Sequence, residues 1–248
     1  MNGMRQNFMR CGQQKRKGEM YREPDLISAN TIERGPRTDG HGAGASAGTV
    51  ICQTLDFADL LDDGEKMGAR LRGSTGLGAE GNGVNFIGSA AAAGRISDRI
   101  ELLGAYSRRS IGDYDAGRHG GGDNTALEYL TANGLEQVSN IRYARQVQDS
   151  ALAKLRFNLG EDHSLQFTYA GTWIDYDNVS EIINVLSLDP NGSPWRNLGP
   201  SKIGSQNFSL DYRWKPDSDL LDLKLKLYTV RTRNRNYTNA RTPSDPNM

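Results

Sequence analysis

Long apolar runs are absent from this 248-residue chain. No stretch approaches the roughly 20 apolar residues of a transmembrane helix, which excludes a helical membrane protein. A membrane β-barrel stays open, because its strands alternate lipid-facing and lumen-facing residues and so dilute the average. An excess of either charge is also missing: 30 basic residues stand against 30 acidic ones, a balance unlike the basic surplus of a nucleic-acid binder. Cysteine is scarce, and Cys11 and Cys52 show no metal-ligand spacing; they read as unpaired thiols. Proline is sparse, 8 against 29 glycines, which favours a turn-rich β protein over a helical one. No Ser/His/Asp or Cys/His set appears, so nothing points to an enzyme; Asp62-Asp63 and Asp217/Asp219 read as turn formers. Met1–Gly18 carries Arg5, Arg10, Lys15, Arg16 and Lys17 but not the apolar core of a secretory signal peptide. Either the chain is cytoplasmic or its true start lies upstream.

The chain divides near residues 60–66. Before that point it reads as irregular, with a glycine-rich run from Gly35 to Gly48; no Gly-Lys-Ser/Thr ending makes it a phosphate loop. Beyond it, period-2 patterns recur. In Leu220–Val230, Leu221, Leu223, Leu225 and Leu227 oppose Asp222, Lys224 and Lys226. In Gln206–Lys215, Phe208, Leu210, Tyr212 and Trp214 oppose Asn207, Ser209, Asp211 and Arg213. Ser164–Trp173, Ala151–Asn158 and Arg99–Arg108 alternate likewise, and weaker strands fall near Met67–Leu77 and Val84–Gly94. Short polar turns at Ile96-Ser97-Asp98, Gly160-Glu161-Asp162 and Pro216–Asp219 interleave with long segments at about 110–148 and 176–203. Strands of about ten residues joined by short turns at one end and long loops at the other suit an antiparallel membrane barrel. A soluble β-sandwich also alternates, but buries its apolar face between two sheets. Trp214 beside one turn, with Trp173 and Tyr176 at the far end of another strand, suit interfacial aromatic girdles.

An ordered series of motifs resembles the TonB-dependent outer-membrane receptors, in their haem and haemoglobin branch. Asn2-Gly3-Met4-Arg5-Gln6 is similar to that branch's Asp-Gly-X-Arg-Gln, and Tyr21–Leu26 to its Tyr-Ile-Asp-Pro-Glu-Leu. Arg34-Gly35-Pro36, followed by Gly42, Gly44 and Gly48, resembles the end of the plug domain. Thr54–Leu61 and Leu102–Tyr114 resemble the plug–barrel junction and the third strand. The resemblance implies an all-β fold with a small α+β plug remnant. Residues 1–60 would be the C-terminal part of the plug. Residues 61–248 would be the N-terminal part of an up-and-down transmembrane barrel, about seven strands and not closed. Such receptors resemble the 22-stranded class, so the chain reads as an internal portion; the signal peptide, energy-coupling box and motif-bearing haem loop would lie outside it.

What the resemblance implies about function is TonB-dependent uptake of an iron compound across the outer membrane of a Gram-negative bacterium, haem or haemoglobin foremost. A siderophore or other ligand of the same superfamily, a non-functional gene remnant and a soluble all-β binding protein are the alternatives. The partners would be outer-membrane lipid, the TonB energy-transducing complex and a haem-type ligand, with no nucleic acid. Haem would be transported and no cofactor bound structurally. Arg70, Arg72, Lys154, Arg156, Lys224 and Lys226 would line the lumen against acidic plug residues. His119, in the long loop, is a candidate haem contact, and Lys15, Arg16 and Lys17 suit haem propionates; both sets also read as solvated loop residues. His41 reads as structural in the plug and His163 as solvated in a short turn. No metal site is expected.

Overall fold

The computed structural model describes Asn2, Met4 and residues 22–35, 48–76, 85–112, 114–115, 140–141, 145–176, 183–188, 194–196, 200–218 and 220–236. In the N-terminal segment a 3-10 turn (Pro24–Leu26) leads into β1 (Ile27–Arg34), which pairs antiparallel with β2 (Gly48–Thr54); a second 3-10 turn (Phe57–Asp59) follows. The expected irregular segment is therefore partly a two-stranded ribbon, and no α-helix occurs among the described residues. Then come β3 (Met67–Gly76), β4 (Asn85–Ser97), β5 (Ile100–Ile111), β6 (Tyr114–Asp115), β7 (Asn140–Ile141), β8 (Gln146–Asn158), β9 (His163–Tyr176), β10 (Ile183–Leu188), β11 (Pro194–Arg196), β12 (Ser201–Trp214) and β13 (Leu223–Asn236).

Seven of these form one open sheet in the order β3-β4-β5-β8-β9-β12-β13, every neighbour antiparallel. β6 pairs with β7 and β10 with β11, as separate ribbons inside the two long connections. All three short turns lie at one end of the sheet. The sheet strands run to 14 residues rather than about ten. β13 shows why: beyond Val230 it alternates Arg231, Arg233 and Arg235 with Thr232 and Asn234, a polar alternation invisible to hydrophobic periodicity although the backbone ladder continues. At its other end β13 begins at Leu223, so Leu221 precedes the strand.

The sheet is apolar on the outside. On the outer face Leu71 is 81% exposed, Leu227 70% and Leu225 55%, with Phe167, Phe208 and Leu102 exposed beside them. The inner face is polar or small, and buried: Ser107, Ser150, Thr168, Thr172, Ser205, Asn207 and Ser209. Soluble proteins invert this arrangement, and a continuous apolar band on the outside is what a lipid-embedded sheet presents. The leucines do not converge on a dry interior between two sheets, so the soluble-sandwich alternative fails. The core instead joins the N-terminal segment to the wall. Leu26, Leu55, Phe57 and Leu61 pack on Ala91, Ala93, Leu103, Ala105, Leu152 and Ala170. Small wall residues allow that close seating. At Gly68 it is closest: an added Cβ would lie 1.8 Å from the Leu60 carbonyl oxygen.

His163 corrects its expected place. It opens β9, half-buried, with its ring stacked on Trp214 at 5.7 Å and its Nδ1 2.8 Å from the Tyr212 hydroxyl. Trp214 and Tyr212 lie across the strand from it and gather three rings at the turn end.

Phe208, 4.8 Å from the Tyr169 ring on the outer face, supplies a direct check. Phe208→Arg should destabilise the complete receptor carrying this chain, in phospholipid vesicles, by about 2–4 kcal/mol, the cost of a cation at mid-depth on a barrel's lipid face. Urea titration of the vesicle-bound protein reads it; an unchanged midpoint would mean that this face meets water.

Candidate functional site

The functional geometry lies in the seam between the N-terminal segment and the inner wall. Its first anchor is Glu23, 3% exposed. Preceding Pro24, it caps the first 3-10 turn, its carboxylate accepting from the Asp25 backbone N–H at 3.3 Å. The same carboxylate takes Arg109 Nη2 at 3.1 Å and Gln148 Nε2 at 2.8 Å, from β5 and β8. Asp25 meets the edge strand β3, through an ion pair with Arg72 at 3.6 Å and a hydrogen bond from Arg70 Nη2 to its carbonyl at 3.1 Å.

The second anchor is Asp56, at the start of the second 3-10 turn. It accepts from Lys154 Nζ at 3.4 Å and from Arg156 Nη2 at 3.0 Å. Arg156 also pairs with Glu101 at 3.2 Å and lies 4.4 Å above the Phe57 ring, a cation–π contact. Burial pushes the Asp56 carboxyl up, but the facing Lys154 and Arg156 charges and the Phe57 N–H outweigh it and hold the group below the usual carboxylate range. A third contact ties the far edge. Lys226 Nζ donates to the Asn2 carbonyl at 2.6 Å and pairs with Asp211 at 2.7 Å. The Asn2 side chain in turn exchanges two 2.8 Å hydrogen bonds with Thr54.

Five of the six wall cations expected in the lumen thus reach the N-terminal segment. Lys224 does not: it pairs with Asp222 at 3.2 Å, because it sits beside the β12–β13 turn that carries that carboxylate. Sequence reasoning missed Glu23, Arg109 and Gln148 as a set. The Glu-Pro pair, a turn-capping signal, was available for Glu23; nothing local marks its two wall partners, 86 and 125 residues away.

Among the plug-motif residues, Arg34 ends β1 opposite Gly48, and Gly35 follows with φ +95°. Gly48 has φ +143°, and a Cβ there would fall 2.5 Å from the Glu33 carbonyl oxygen, so this position demands glycine. Pro36, Gly42, Gly44, His41, Cys11 and the ligand candidates His119, Lys15, Arg16 and Lys17 lie outside the described residues. Cys52 is a buried free thiol that accepts a hydrogen bond from Arg22. Among the described residues no cluster of three His, Cys, Asp or Glu is placed to hold a metal ion.

No family model matches the chain. It is similar to the hemophilin receptor of Acinetobacter baumannii, 23% identical over 90% of this chain and 26% of that protein. It is similar also to the TonB-dependent heme receptor A of Haemophilus influenzae, 26% identical over 82% of this chain and 26% of that one. Among solved structures it superposes on the Serratia marcescens hemophore receptor HasR, a double mutant in complex with its hemophore HasA and heme. The TM-score is 0.71 at 27% identity, covering 95% of this chain and 30% of HasR. The chain therefore spans between a quarter and a third of the length of these relatives.

Two outcomes are expected at the seam. Glu23→Ala leaves Arg109 without its counter-charge against the wall and should cost about 3–5 kcal/mol, the usual penalty for breaking a buried pair. Adding Arg109→Ala should recover part of that loss, read by hydrogen exchange of β1 and β2. The second outcome concerns acid. Because folding lowers the Asp56 pKa, its contribution is full above the ordinary carboxylate range and drains away as pH falls through its lower folded value. Proteolysis of residues 48–61 should accelerate in that acid window for the wild type, and at neutral pH already for Asp56→Asn.

Proposed function

We propose that this chain, a relative of the TonB-dependent haem receptors, forms part of the plug and barrel wall through which an outer-membrane receptor imports haem. One observation carries the reading: a separate N-terminal segment is held by carboxylate–cation anchors on the polar inner wall of an outward-apolar antiparallel sheet. A wall of that kind belongs in lipid, and a segment seated inside it blocks the lumen.

In this reading residues 1–60 belong to the plug and 61–248 to the barrel. The anchors at Glu23 and Asp56 keep the plug seated at rest. An energy-transducing complex pulling on the plug has to break these few ion pairs together with the small apolar contact of Leu26, Leu55, Phe57 and Leu61 on the wall. Haem is the transported ligand, with no structural cofactor. His119, in the loop-end connection, offers an imidazole to the iron, and Lys15, Arg16 and Lys17 meet the propionates. Arg34, Gly35, Pro36, Gly42, Gly44 and Gly48 shape the end of the plug, where Gly48's close approach to the Glu33 carbonyl favours that role. The relatives' names support haem over the siderophore alternative, and they are receptors and transporters rather than enzymes.

The test is genetic and uses the complete gene. Deleting it should abolish growth on haem as sole iron source and leave growth on ferric siderophores intact. The plasmid-borne gene should restore growth, His119→Ala should reduce it several-fold, and the product should fractionate with the outer membrane. Siderophore growth lost instead, with haem growth intact, would reassign the ligand.

A further inference from the structure

The outer face of β13 changes character along its length. Leu223, Leu225 and Leu227 occupy the half nearest the short turns; after Thr229 come Arg231, Arg233 and Arg235, all exposed. Register fixes their neighbours. Gln206 lies opposite Arg231, Gly204 opposite Arg233 and Lys202 opposite Arg235. One strand further on, Gly204 lies opposite Trp173 and Lys202 opposite Asp175. With strands about 4.8 Å apart and same-face residues roughly 7 Å apart along a strand, three guanidiniums and the Lys202 ammonium border a shallow notch. Its floor is Gly204, and the Trp173 ring lies 3.4 Å from where a Gly204 Cβ would be.

Among the described residues the nearby carboxylates are already engaged. Asp175 pairs with Lys202 at 3.3 Å, and Asp149 with Arg108 at 3.2 Å and with the Tyr106 hydroxyl. Arg231, Arg233 and Arg235 have no partner among the described residues. Blunting an open sheet edge would also use charge, but it requires neither one sign, nor one face, nor confinement to one end.

Depth supplies the ligand. Short turns of such barrels are periplasmic and long loops extracellular, and the arginines stand at the loop end, level with an interfacial tryptophan. Their aliphatic stems can lie along the apolar band while the guanidiniums reach the headgroups. Guanidinium binds phosphate through paired, charge-assisted hydrogen bonds. We propose that Arg231, Arg233 and Arg235, around the Gly204 notch, form a binding site for the sugar-linked phosphates of an outer-leaflet glycolipid. The inference rests on the outer-membrane reading above, though not on haem as the ligand.

The experiment uses the complete receptor carrying this chain, in detergent, titrated with phosphorylated lipid A, dephosphorylated lipid A, phosphatidylcholine and inorganic pyrophosphate. Binding of the phosphorylated glycolipid should exceed that of the dephosphorylated form by about tenfold or more. Arg231→Gln/Arg233→Gln/Arg235→Gln should abolish that preference, and Arg233→Gln alone should weaken it several-fold. Equal binding of both glycolipids would overturn the proposal. Pyrophosphate bound as tightly as the lipid would overturn the lipid assignment. If the triple variant does not fold, Arg233→Gln decides alone, and an undiminished lipid preference in it would overturn the proposal. Growth on haem and outer-membrane fractionation of the same variants score the transport reading separately, so lost lipid preference with retained growth leaves it standing.

Discussion

The Glu23 carboxylate, sealed from solvent between Arg109 and Gln148, is the contact on which the placement of the N-terminal segment depends. A buried charge without partners would be prohibitive, so Glu23 can be where it is only if β5 and β8 are already paired and present both donors side by side. That requirement couples the segment to the sheet in one register. Asp56 repeats the arrangement nearer the turn end with Lys154 and Arg156. Between the two anchors the interface is alanine, leucine and small hydroxyls, which fit closely without adding charge.

The inside-out sheet follows from the same division of labour. Backbone groups are satisfied strand to strand, so the outer side chains need only be apolar and the inner ones only compatible with polar neighbours. Leucines that would be a liability in water become the lipid-facing band, and serines and threonines that would be wasted on a surface line a covered wall. At the loop end of the outer face the apolar side chains give way to charge, a change that β13 makes within two residues of Thr229.

Much of this was legible in the residues. Leu223, Leu225 and Leu227 against Lys224 and Lys226 declared the strand and which side chains share each face, and the spacing of Pro216–Asp219 and Gly160–Asp162 declared the turns. Strand ends were less legible. Arg231–Asn236 is polar on both faces and carries no apolar period, and His163, which reads as a turn residue, is drawn into β9 by stacking on Trp214 across the strand.

Alternation, turn chemistry and charge balance are local properties, so the sequence by itself determined the antiparallel sheet, its long and short ends and which side chains share a face. Which face would be buried is not local, because period 2 is the same whether leucines point to lipid or to a core. Only the tertiary structure decided that, by laying Leu26, Leu55, Phe57 and Leu61 on the polar side of the sheet. It alone paired Glu23 with Arg109 and Gln148 and Asp56 with Lys154 and Arg156. Partners separated by 86 to 125 residues meet only once the strands between them are in register.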